Sequence, residues 1–589
     1  MNYSDYLFSQ LVKIGIEDIF LLPGGGCMYL VDAISRNSSL KPRVLLHEQS
    51  VGIAAEAYAQ YRNSISVVLV TTGPGGTNAI TPCAAAWTDS TPMLFISGQV
   101  KTLDSHELYG VRQFGFQEIP ITEIVKPITK KAIKLKSSDD LSFELLKLIR
   151  IATEGRPGPV WLDIPLDLQN INFDISNDKS DVFKNNSHDA VSLSTDTEGS
   201  NFEIREIINS LHQAKKPLLL LGNGVRLSNS IDDAILFANK LMIPILLTWK
   251  TIDFLGENDP LNVGRPGSIP QPWSNLLQEE ADFILSIGAR IDTGQSAYNL
   301  QNFGKMARKF IVDIDKNELN KFPLNETFKV LNLDAKFFFK QLSTLDISKL
   351  NSGLWEKWRI HIAETKSERS PSFFSRIAPK RGVNLYNFIN SMSVCLSDDA
   401  ILVPGSSGAC SEIVMQAFKV KKGQRVLNSE GLGSMGFGIS AAYGVSLASG
   451  SRQIVCIDGD GGFQMNIQEL ATVQLNVKRI KFFVLNNNGY GSIKLTQDKY
   501  FNGRRVGTDP SSGLALVNLE KIAASFSMKF FRIESEENLL DSIRIALSDE
   551  SNAIIEVLVD PNQVISPRVV SRRDHEGNFI PADMSIMQY

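Results

Sequence analysis

Short apolar runs that end in glycine-rich turns recur along this chain and alternate with stretches of helical periodicity. Such runs precede PGGG at 23–26, GPGG at 73–76 and DGDGG at 458–462, and helical patterns occupy stretches such as 54–61 and 140–152. Strands that alternate with helices form parallel sheets covered by helices on both faces. The sequence therefore predicts an α/β fold built from doubly wound parallel sheets.

The pattern stops and restarts twice, which predicts three sheet domains in the 589 residues. This agrees with a norm of about 150 residues per domain. The interruptions are polar or mixed in composition and lack apolar periodicity, as exposed connections do. The predicted domains are 1–174, 201–345 and 381–560, with a linker at 175–200, a connector at 346–380 and a C-terminal tail at 561–589.

Composition excludes several functional classes. The chain has 60 Lys and Arg against 64 Asp and Glu, a net charge of −4, so we expect no nucleic-acid partner. Its five cysteines include no CxxC pair, which argues against a disulfide framework or a cysteine-rich zinc site. The first residues lack the pattern of a signal peptide, and no apolar run is long enough to span a membrane. We therefore expect a cytoplasmic protein that does not interact with membranes.

The strongest motif pairs Gly459-Asp460-Gly461 with Asn487, and each part follows a predicted strand. Ligands of doubly wound sheets gather at the carboxyl ends of the strands. Mg²⁺ takes about six oxygen ligands, and the Asp460 carboxylate, the Asn487 amide oxygen and the Gly489 carbonyl are suited to supply some of them. Either half alone is more often an ordinary loop, but the two together predict a magnesium site.

Two glycine-rich turns are suited to hold a diphosphate. Gly461 and Gly462 leave backbone N–H groups bare ahead of the next helix, which is predicted at 467–473. The loop Gly405-Ser406-Ser407 ends the first strand of the third domain and offers N–H and hydroxyl groups. The GDG turn followed by the NN turn resembles the signature of enzymes that bind thiamine diphosphate.

Glu48 lies between a predicted strand end and a predicted helix. An acid at a helix N-terminus is often there only because the helix dipole favours it, and this is the alternative role for Glu48. Thiamine chemistry needs one carboxylic acid, which hydrogen-bonds the aminopyrimidine ring and shifts it toward its imino tautomer. Because the chain also carries the GDG and NN turns, we predict that Glu48 is this acid, with His47 beside it in a structural role.

Residues 431–438, GLGSMGFG, contain G-x-G-x-x-G, which raises a nicotinamide-dependent oxidoreductase as an alternative function. That fingerprint requires a preceding strand, and only a short one is predicted, at 426–427. In a thiamine enzyme the segment has a different use. Met435 is long and soft enough to wedge between the two rings of the bent cofactor, and Gly433 leaves its carbonyl free to accept from the 4′-amino group.

Together these motifs make the chain similar to the thiamine-diphosphate enzymes, and most similar to the large catalytic subunit of acetolactate synthase. The resemblance covers nearly the whole chain and includes HEQ, TGPGGTN, FGFQE, GRPGPVWLDIP and LNNNGYGSI. It implies that Gln117 faces the reacting carbons and that Ile493 lines their pocket. The cofactor contacts that it implies, besides the acid and the metal ligands, are Gly25, Gly405, Ser406, Ser407, Gly433, Met435, Gly459, Gly461, Gly462, Tyr490, Gly491, Ser492 and Ile493.

The resemblance also implies an activity and an assembly. The activity is that of a carboligase, which decarboxylates a 2-keto acid such as pyruvate and transfers the two-carbon unit to a carbonyl acceptor. The assembly is a homodimer or tetramer in which two subunits share each active site.

Two departures from the family pattern leave parts of this prediction open. Thr496 stands where synthases of branched-chain precursors carry Trp, which favours another acceptor, either a keto acid or a keto sugar. The family's flavin segment RFDDR is here RIDTG at 290–294, so FAD is neither required nor excluded.

The nearest alternative is a thiamine-dependent decarboxylase or oxidase, although the chain lacks the adjacent histidine pair of pyruvate decarboxylases. A non-catalytic homologue is a further alternative, against which the intact Glu48 argues.

Overall fold

Three six-stranded parallel sheets, each flanked by helices, make up the chain. The computed structural model describes residues 1–136, 141–172, 197–323, 325–345, 350, 353–374, 381–406, 408–570, 572–573, 575–576, 579–580 and 583–588. The α/β class and the parallel sheets predicted from the sequence are confirmed. Within the described residues, no helix has both the length and the apolar character needed to cross a membrane.

The first sheet is buried on both faces, as expected for a parallel sheet covered by helices. Every residue of its central strands β3, β4 and β6 is buried. Its strands are β1 Asp18–Leu21, β2 Lys41–Val44, β3 Ser66–Val70, β4 Met93–Gln99, β5 Lys131–Lys134 and β6 Pro159–Pro165, in the order β2-β1-β3-β4-β6-β5. Its helices are Tyr3–Lys13, Met28–Arg36, Glu48–Arg62, Pro74–Asn78, Ile80–Thr88, Ile121–Val125, Leu141–Thr153 and Leu166–Gln169.

The second sheet has the strand order of dinucleotide-binding folds, in which the direction of winding reverses between two central strands. Its strands are β7 Pro217–Leu221, β8 Ile245–Leu247, β9 Asn262–Gly264, β10 Phe283–Ile287, β11 Arg308–Asp313 and β12 Phe328–Asn332, in the order β12-β11-β10-β7-β8-β9. Its helices are Thr197–Gln213, Gly224–Leu227, Ile231–Leu241, Pro272–Glu280, Lys316–Leu319, Ala335–Thr344 and Glu356–Phe374. The reversal falls between β7 and β10.

The third sheet repeats the strand order of the first. Its strands are β13 Ile401–Pro404, β14 Arg425–Val426, β15 Ile454–Gly459, β16 Ile480–Asn486, β17 Lys529–Ile533 and β18 Ala553–Leu558, in the order β14-β13-β15-β16-β18-β17. Its helices are Leu385–Cys395, Ala409–Ala417, Phe437–Ser449, Asp460–Phe463, Glu469–Asn476, Gly491–Tyr500, Leu519–Ser525 and Leu539–Ser548. A short antiparallel pair, β19 Arg572–Arg573 with β20 Phe579–Ile580, follows in the tail.

The segments between the sheets are more structured than the sequence predicts. Helix Thr197–Gln213 begins inside the predicted linker, and residues 175–196 lie outside the described residues. Within the predicted connector, helix Glu356–Phe374 packs on the second domain. The indole N–H groups of Trp355 and Trp358 donate to backbone carbonyls at the start of that domain, those of Ala214 and Pro217. Local composition does not reveal these helices because they pack on helices that are distant in the chain, Thr197–Gln213 on Ala335–Thr344 and Glu356–Phe374 on Pro272–Glu280.

The first and third domains share one apolar core. Val68 and Phe95 of the first domain belong to the same buried cluster as Ile439 and Phe482 of the third. Helix Glu48–Arg62 packs directly on helix Phe437–Ser449. The two backbones approach so closely that a Cβ at Gly444 would collide with the Ala54 carbonyl, which explains glycine at this crossing. The shared core fixes the orientation of the two domains, and thereby of their strand ends.

Candidate active site

A cavity of about 310 Å³ lies at the carboxyl edge of the third sheet. The predicted cofactor residues that line it are Ser406, Gly433, Met435, Gly459, Asp460, Gly461, Gly462, Asn487, Gly489, Tyr490, Gly491, Ser492 and Ile493. Gly405 lies just behind the wall, where a Cβ would sit 2.5 Å from an oxygen of Asp458. Ser407 lies outside the described residues. The structure therefore brings together nearly all of the residues that the sequence assigns to the third domain's half of the site.

Asp460 and Asn487 meet in this cavity and offer oxygen ligands. The Gly489 N–H donates to Oδ2 of Asp460 at 2.9 Å, and the Gly461 N–H donates to Oδ1 at 2.8 Å. Burial raises the pKa of Asp460 to about 6, against the opposing effect of these N–H groups. Oδ1 of Asn487 is buried and has no hydrogen-bond partner among the described residues. An unsatisfied amide oxygen beside a carboxylate fits a hard cation such as Mg²⁺.

The turns around these two residues require glycine. Gly489 has φ +137°, and a Cβ there would collide with the Thr508 carbonyl. A Cβ at Gly461 would collide with the ring of Tyr490. The helix after the GDG turn begins at Asp460 itself, as the short helix Asp460–Phe463, and the next helix is Glu469–Asn476. The prediction of one helix at 467–473 is therefore wrong at its beginning. The first helical turn already includes the GDG residues Asp460 and Gly461.

Gly433 and Met435 enter the cavity on a loop that precedes helix Phe437–Ser449. Gly433 has φ +64° and Gly436 has φ +85°, which are left-handed conformations that favour glycine. The strand before this loop, Arg425–Val426, has two residues and lies at the edge of the sheet. Since the dinucleotide fingerprint joins a strand directly to a helix by a tight turn, the geometry of GLGSMG does not fit a nicotinamide site.

Glu48, Gln117 and Gly25 do not line this cavity. They follow β2, β4 and β1 and therefore lie at the carboxyl edge of the first sheet. Glu48 is the first residue of helix Glu48–Arg62 and is buried. The side-chain amide of Asn78 donates to its Oε2 at 2.9 Å. His47 caps the same helix, because its Nδ1 accepts from the Gln49 N–H at 3.1 Å, in agreement with the structural role predicted for it.

Gln117 stands on an exposed loop that a single carboxylate organises. Its φ is +62°, and a Cβ at Gly73 would collide with its carbonyl. The neighbouring Glu118 is buried and accepts from the His106 N–H at 2.8 Å and the Gly115 N–H at 3.2 Å. Burial by itself would raise the pKa of Glu118, but hydrogen bonds from the His106 side chain and these N–H groups outweigh it and lower the pKa to about 2.

Two of these side chains, Asn78 and Glu118, were not identified as site residues from the sequence. Asn78 ends the motif TGPGGTN, and Glu118 ends the motif FGFQE. Their position in these motifs marks them as candidates, but the sequence does not show which groups they bind. Asn78 meets Glu48 across 30 residues, and only the parallel arrangement of β2 and β3 around β1 brings the two together.

Comparison with known proteins agrees with this geometry. Three models of thiamine pyrophosphate enzyme domains match the chain: the N-terminal TPP binding domain over residues 1–124, the central domain over 204–330 and the C-terminal TPP binding domain over 406–557. The chain belongs to the thiamine pyrophosphate enzyme family. Thiamine diphosphate is accordingly its cofactor class.

Similarity to individual proteins narrows the class. The chain is 30% identical over 569 residues to the acetolactate synthase large subunit of Lactococcus lactis, covering 96% of this chain and 94% of that protein. It is 29% identical over 569 residues to the acetolactate synthase isozyme 1 large subunit of Escherichia coli, covering 96% and 95%. The chloroplastic acetolactate synthase of Arabidopsis thaliana is 29% identical over 583 residues, covering 96% and 83%. The protein is therefore an acetolactate synthase-like, thiamine-dependent enzyme.

Proposed function

We propose that the protein is a thiamine-diphosphate-dependent carboligase. Its donor is a 2-keto acid, for which pyruvate is our choice, and it transfers the two-carbon unit left after decarboxylation to a carbonyl acceptor. One observation carries the proposal most directly. The free oxygen of Asn487 and the Asp460 carboxylate face the same glycine-lined cavity, which suits a metal-bound diphosphate.

The chain's own residues have separate tasks in this proposal. Asp460, Asn487 and the Gly489 carbonyl would hold Mg²⁺, and the glycine turns at 459–462 and 405–406 would receive the diphosphate. The Gly433 carbonyl would accept from the aminopyrimidine, and Met435 would support the bent form of the cofactor. When bound, thiamine diphosphate supplies the electron sink that decarboxylation requires.

Glu48 supplies the proton-carrying group in the proposed site. Asn78 donates to Oε2 of Glu48, which leaves Oε1 as the atom that holds or releases a proton toward the aminopyrimidine. Burial shields this carboxyl from bulk water, as a group that moves a proton requires. Gln117, on the loop that follows β4 at the same edge of the sheet, is proposed to face the reacting carbons.

The active site is proposed to be completed by a second copy of the chain. Glu48 and the cavity belong to different sheet edges, and apolar side chains stand uncovered at both. Phe116, beside Gln117, is 88% exposed, and Ile493, at the cavity, is 51% exposed. The loop of Phe116 also exposes Tyr109 and Phe114, whose ring centroids lie 4.3 Å apart, and a contiguous exposed apolar patch marks an interaction site. A dimer or tetramer that joins the two edges would cover both and bring Glu48 to the cofactor.

The acceptor is proposed to be either a keto acid or a keto sugar, and to be larger than the smallest 2-keto acids. Thr496 lies on helix Gly491–Tyr500, which borders the cavity. Its hydroxyl donates to the Ser492 carbonyl at 3.1 Å, and its side chain is exposed. A short residue bonded back to its own helix leaves space where a tryptophan would fill it.

The second domain carries the place where a flavin would bind. A cavity of about 270 Å³ lies at the reversal between β7 and β10, and its lining includes Gly222 and Gly288. These glycines touch closely, because a Cβ at Gly222 would collide with the Gly288 carbonyl. Arg290 and Asp292 form an ion pair of 2.5 Å at its wall. We propose FAD as a resident of this cavity that the carboligation itself does not require.

The compartment is proposed to be reducing, as in the cytoplasm. All five cysteines lie in the described part of the chain, where they form no disulfide, and four of them are buried. Such thiols persist without pairing where glutathione keeps them reduced.

The test uses the purified full chain. Calorimetric titration with thiamine diphosphate and Mg²⁺ should give binding, and incubation with pyruvate and candidate acceptors should give products heavier than the acceptor by the two-carbon unit. If free acetaldehyde were the sole product, the protein would be a decarboxylase and not a carboligase. If hydrogen peroxide formed, it would be an oxidase. The visible spectrum reports flavin, and sedimentation velocity reports the assembly.

A further inference from the structure

We propose that Asp89, in the first domain, is a positioning residue for the thiamine site of the third domain. It fixes the Met435 loop, defined here as residues 428–436, which carries Gly433 and Met435 into the cavity. The proposal rests on the cofactor contacts proposed above for those two residues. It adds a residue outside the thiamine cavity, since Asp89 does not line that cavity but the one of the second domain.

Asp89 binds the backbone of the Met435 loop with both carboxylate oxygens. It directly follows helix Ile80–Thr88 and is buried. Its Oδ1 accepts from the Gly431 N–H at 2.8 Å, and its Oδ2 accepts from the Glu430 N–H at 3.2 Å. Hydrogen bonds to an ionised acceptor are roughly twice as strong as neutral ones, so this carboxylate is a firm anchor for two successive peptide groups.

Lys250 of the second domain joins the same anchor. Its Nζ lies 2.7 Å from Oδ2 of Asp89 and also donates to the Asn428 carbonyl of the loop. All three domains thus meet at one buried ion pair. Breaking a buried pair on one side leaves an uncompensated charge, which is costly. Loss of the Asp89 carboxylate therefore also affects Lys250, which holds the beginning of the loop.

The loop has few other attachments in its first half. The Asn428 side chain is buried with neither of its polar atoms hydrogen-bonded, and Oγ of Ser429 is likewise without a partner among the described residues. The second half is attached at Ser434, whose carbonyl accepts from Ser406, and at Gly436, whose carbonyl accepts from Asn466 at 2.8 Å. The stretch that leads into Gly433 therefore depends on Asp89 and Lys250.

Close packing makes the position specific. A Cβ at Gly431 would sit 2.6 Å from Cβ of Thr88 and 2.8 Å from Oδ1 of Asp89. The loop is thus seated against the end of helix Ile80–Thr88 with no room for a side chain. Gly433 follows two residues later, and an error of about 1 Å in a reacting group's position can cost about 100-fold in rate. Release of the loop at Gly431 is therefore expected to misplace the Gly433 carbonyl and Met435.

Asp253 provides a matched control at the same junction. It is a buried carboxylate of the second domain, paired with Arg226 at 2.5 Å and with Arg425 at 2.5 Å. It accepts from the Val426 N–H at 3.1 Å, just before the Met435 loop, and makes no bond to residues 428–436 within the described chain. Its loss disturbs the domain junction without releasing the loop.

The experiment compares Asp89→Asn, Asp89→Ala and Asp253→Asn in the full chain. Amide hydrogen exchange of peptides covering 428–436 is measured without cofactor, and thiamine diphosphate affinity is measured by calorimetry with Mg²⁺. We expect the Asp89 variants to exchange faster at Glu430 and Gly431, and Asp89→Ala to bind thiamine diphosphate at least about 10-fold more weakly. Asp89→Asn, which keeps one acceptor oxygen, should recover part of both effects. Asp253→Asn should lower the melting temperature and leave both measurements near wild type.

Two outcomes would overturn the proposal. The first is unchanged exchange of the loop in Asp89→Asn. The second is an equal loss of cofactor affinity in Asp253→Asn, which would mean that any damage to the junction has the same effect. If wild type itself bound no thiamine diphosphate, the proposed function would fail, while the exchange measurement would still decide whether Asp89 holds the loop. If Asp89→Ala does not fold, Asp89→Asn carries both measurements.

Discussion

The first and third domains have the same strand order and opposite roles. In each, the sheet runs 2-1-3-4-6-5 in local numbering, and the site residues follow strands at the carboxyl edge. In the third domain these residues close around a cavity of about 310 Å³. In the first they form an open edge with Glu48 buried and Phe116 88% exposed. Topology thus decides where a site lies, and the residues at the strand ends decide what it does.

The difference between the two edges is one of charge and backbone. The third domain's edge has bare glycines and a carboxylate surrounded by N–H groups, which suits a cation and a diphosphate. The first domain's edge has a carboxyl held by one side-chain amide, which suits proton transfer. The proposed metal ligands lie at one edge and the proton-carrying carboxyl at the other, and this is why the proposed site needs both.

Replacing Glu48 by Gln tests the carboxyl edge of the first sheet and should have the largest effect on turnover. The amide keeps the shape and the contact with Asn78 but holds no transferable proton. We expect turnover to fall by about 10²–10⁴-fold with thiamine diphosphate affinity nearly unchanged, measured by product formation and calorimetry. Glu17→Gln, an exposed acid of the same domain paired with Lys41, is the control. Full turnover in Glu48→Gln would remove the proposed role.

Replacing Asp460 by Asn tests the carboxyl edge of the third sheet. The variant keeps the side-chain shape but loses the charge that a divalent cation requires. Mg²⁺ affinity should drop by about 100-fold or more, and excess Mg²⁺ should restore part of the activity. Asp498→Asn, on the helix that borders the cavity and paired there with Arg505, should behave as wild type. If Asp460→Asn kept wild-type Mg²⁺ dependence, the metal site would have to lie elsewhere.

Replacing Thr496 by Trp tests the proposed acceptor side of the site, on the helix that borders the cavity. A large ring on helix Gly491–Tyr500 fills space that the threonine leaves open. We expect the ratio of kcat/KM for small over large acceptors to rise by about 10-fold, with donor decarboxylation unchanged. Thr496→Val, similar in size, is the control. An unchanged acceptor ratio would show that this position does not face the acceptor.

Replacing Glu56 by Gln should have the smallest effect and concerns stability. Glu56 is fully buried on helix Glu48–Arg62, with one oxygen bonded to Gln60 at 3.0 Å and the other unpaired in the described chain. Burial, with the nearby charge of Asp89, raises the pKa of Glu56 well above its ordinary 4.5. Above pH 4.5 the unfolded chain releases this proton and the folded chain keeps it, so stability falls as pH rises.

The Gln variant removes that pH dependence. Its apparent Tm should exceed that of wild type at pH 8 by about 2–4 °C and equal it near pH 4.5, as measured by thermal scans across this range. Glu17→Gln again provides the control, because the exposed acid should change Tm little at either pH. A Tm difference of the same size at both pH values would mean that the effect does not come from titration of Glu56.

Much of the third domain's site follows from sequence alone. Asp460 and Asn487 each end a strand, and consecutive parallel strands bring their carboxyl ends to one edge. The periodicity and turn residues that mark such strands are local, so three sheets and a shared cavity were predictable. The helix in the predicted connector and the start of helix Thr197–Gln213 were not, because the helices on which they pack are distant in the chain.

The local elements, the glycine turns and the residues at the strand ends can therefore be predicted from the sequence of this protein. Which distant groups bind those residues depends on the tertiary structure. Asn78 reaches Glu48 through strand order, and Asp89 meets Gly431 across 342 residues. The physical reason is that the apolar pattern of a strand and the residues of a turn are visible among neighbours in the chain. A buried carboxylate, by contrast, is satisfied by whichever backbone the packed domains bring within about 3 Å.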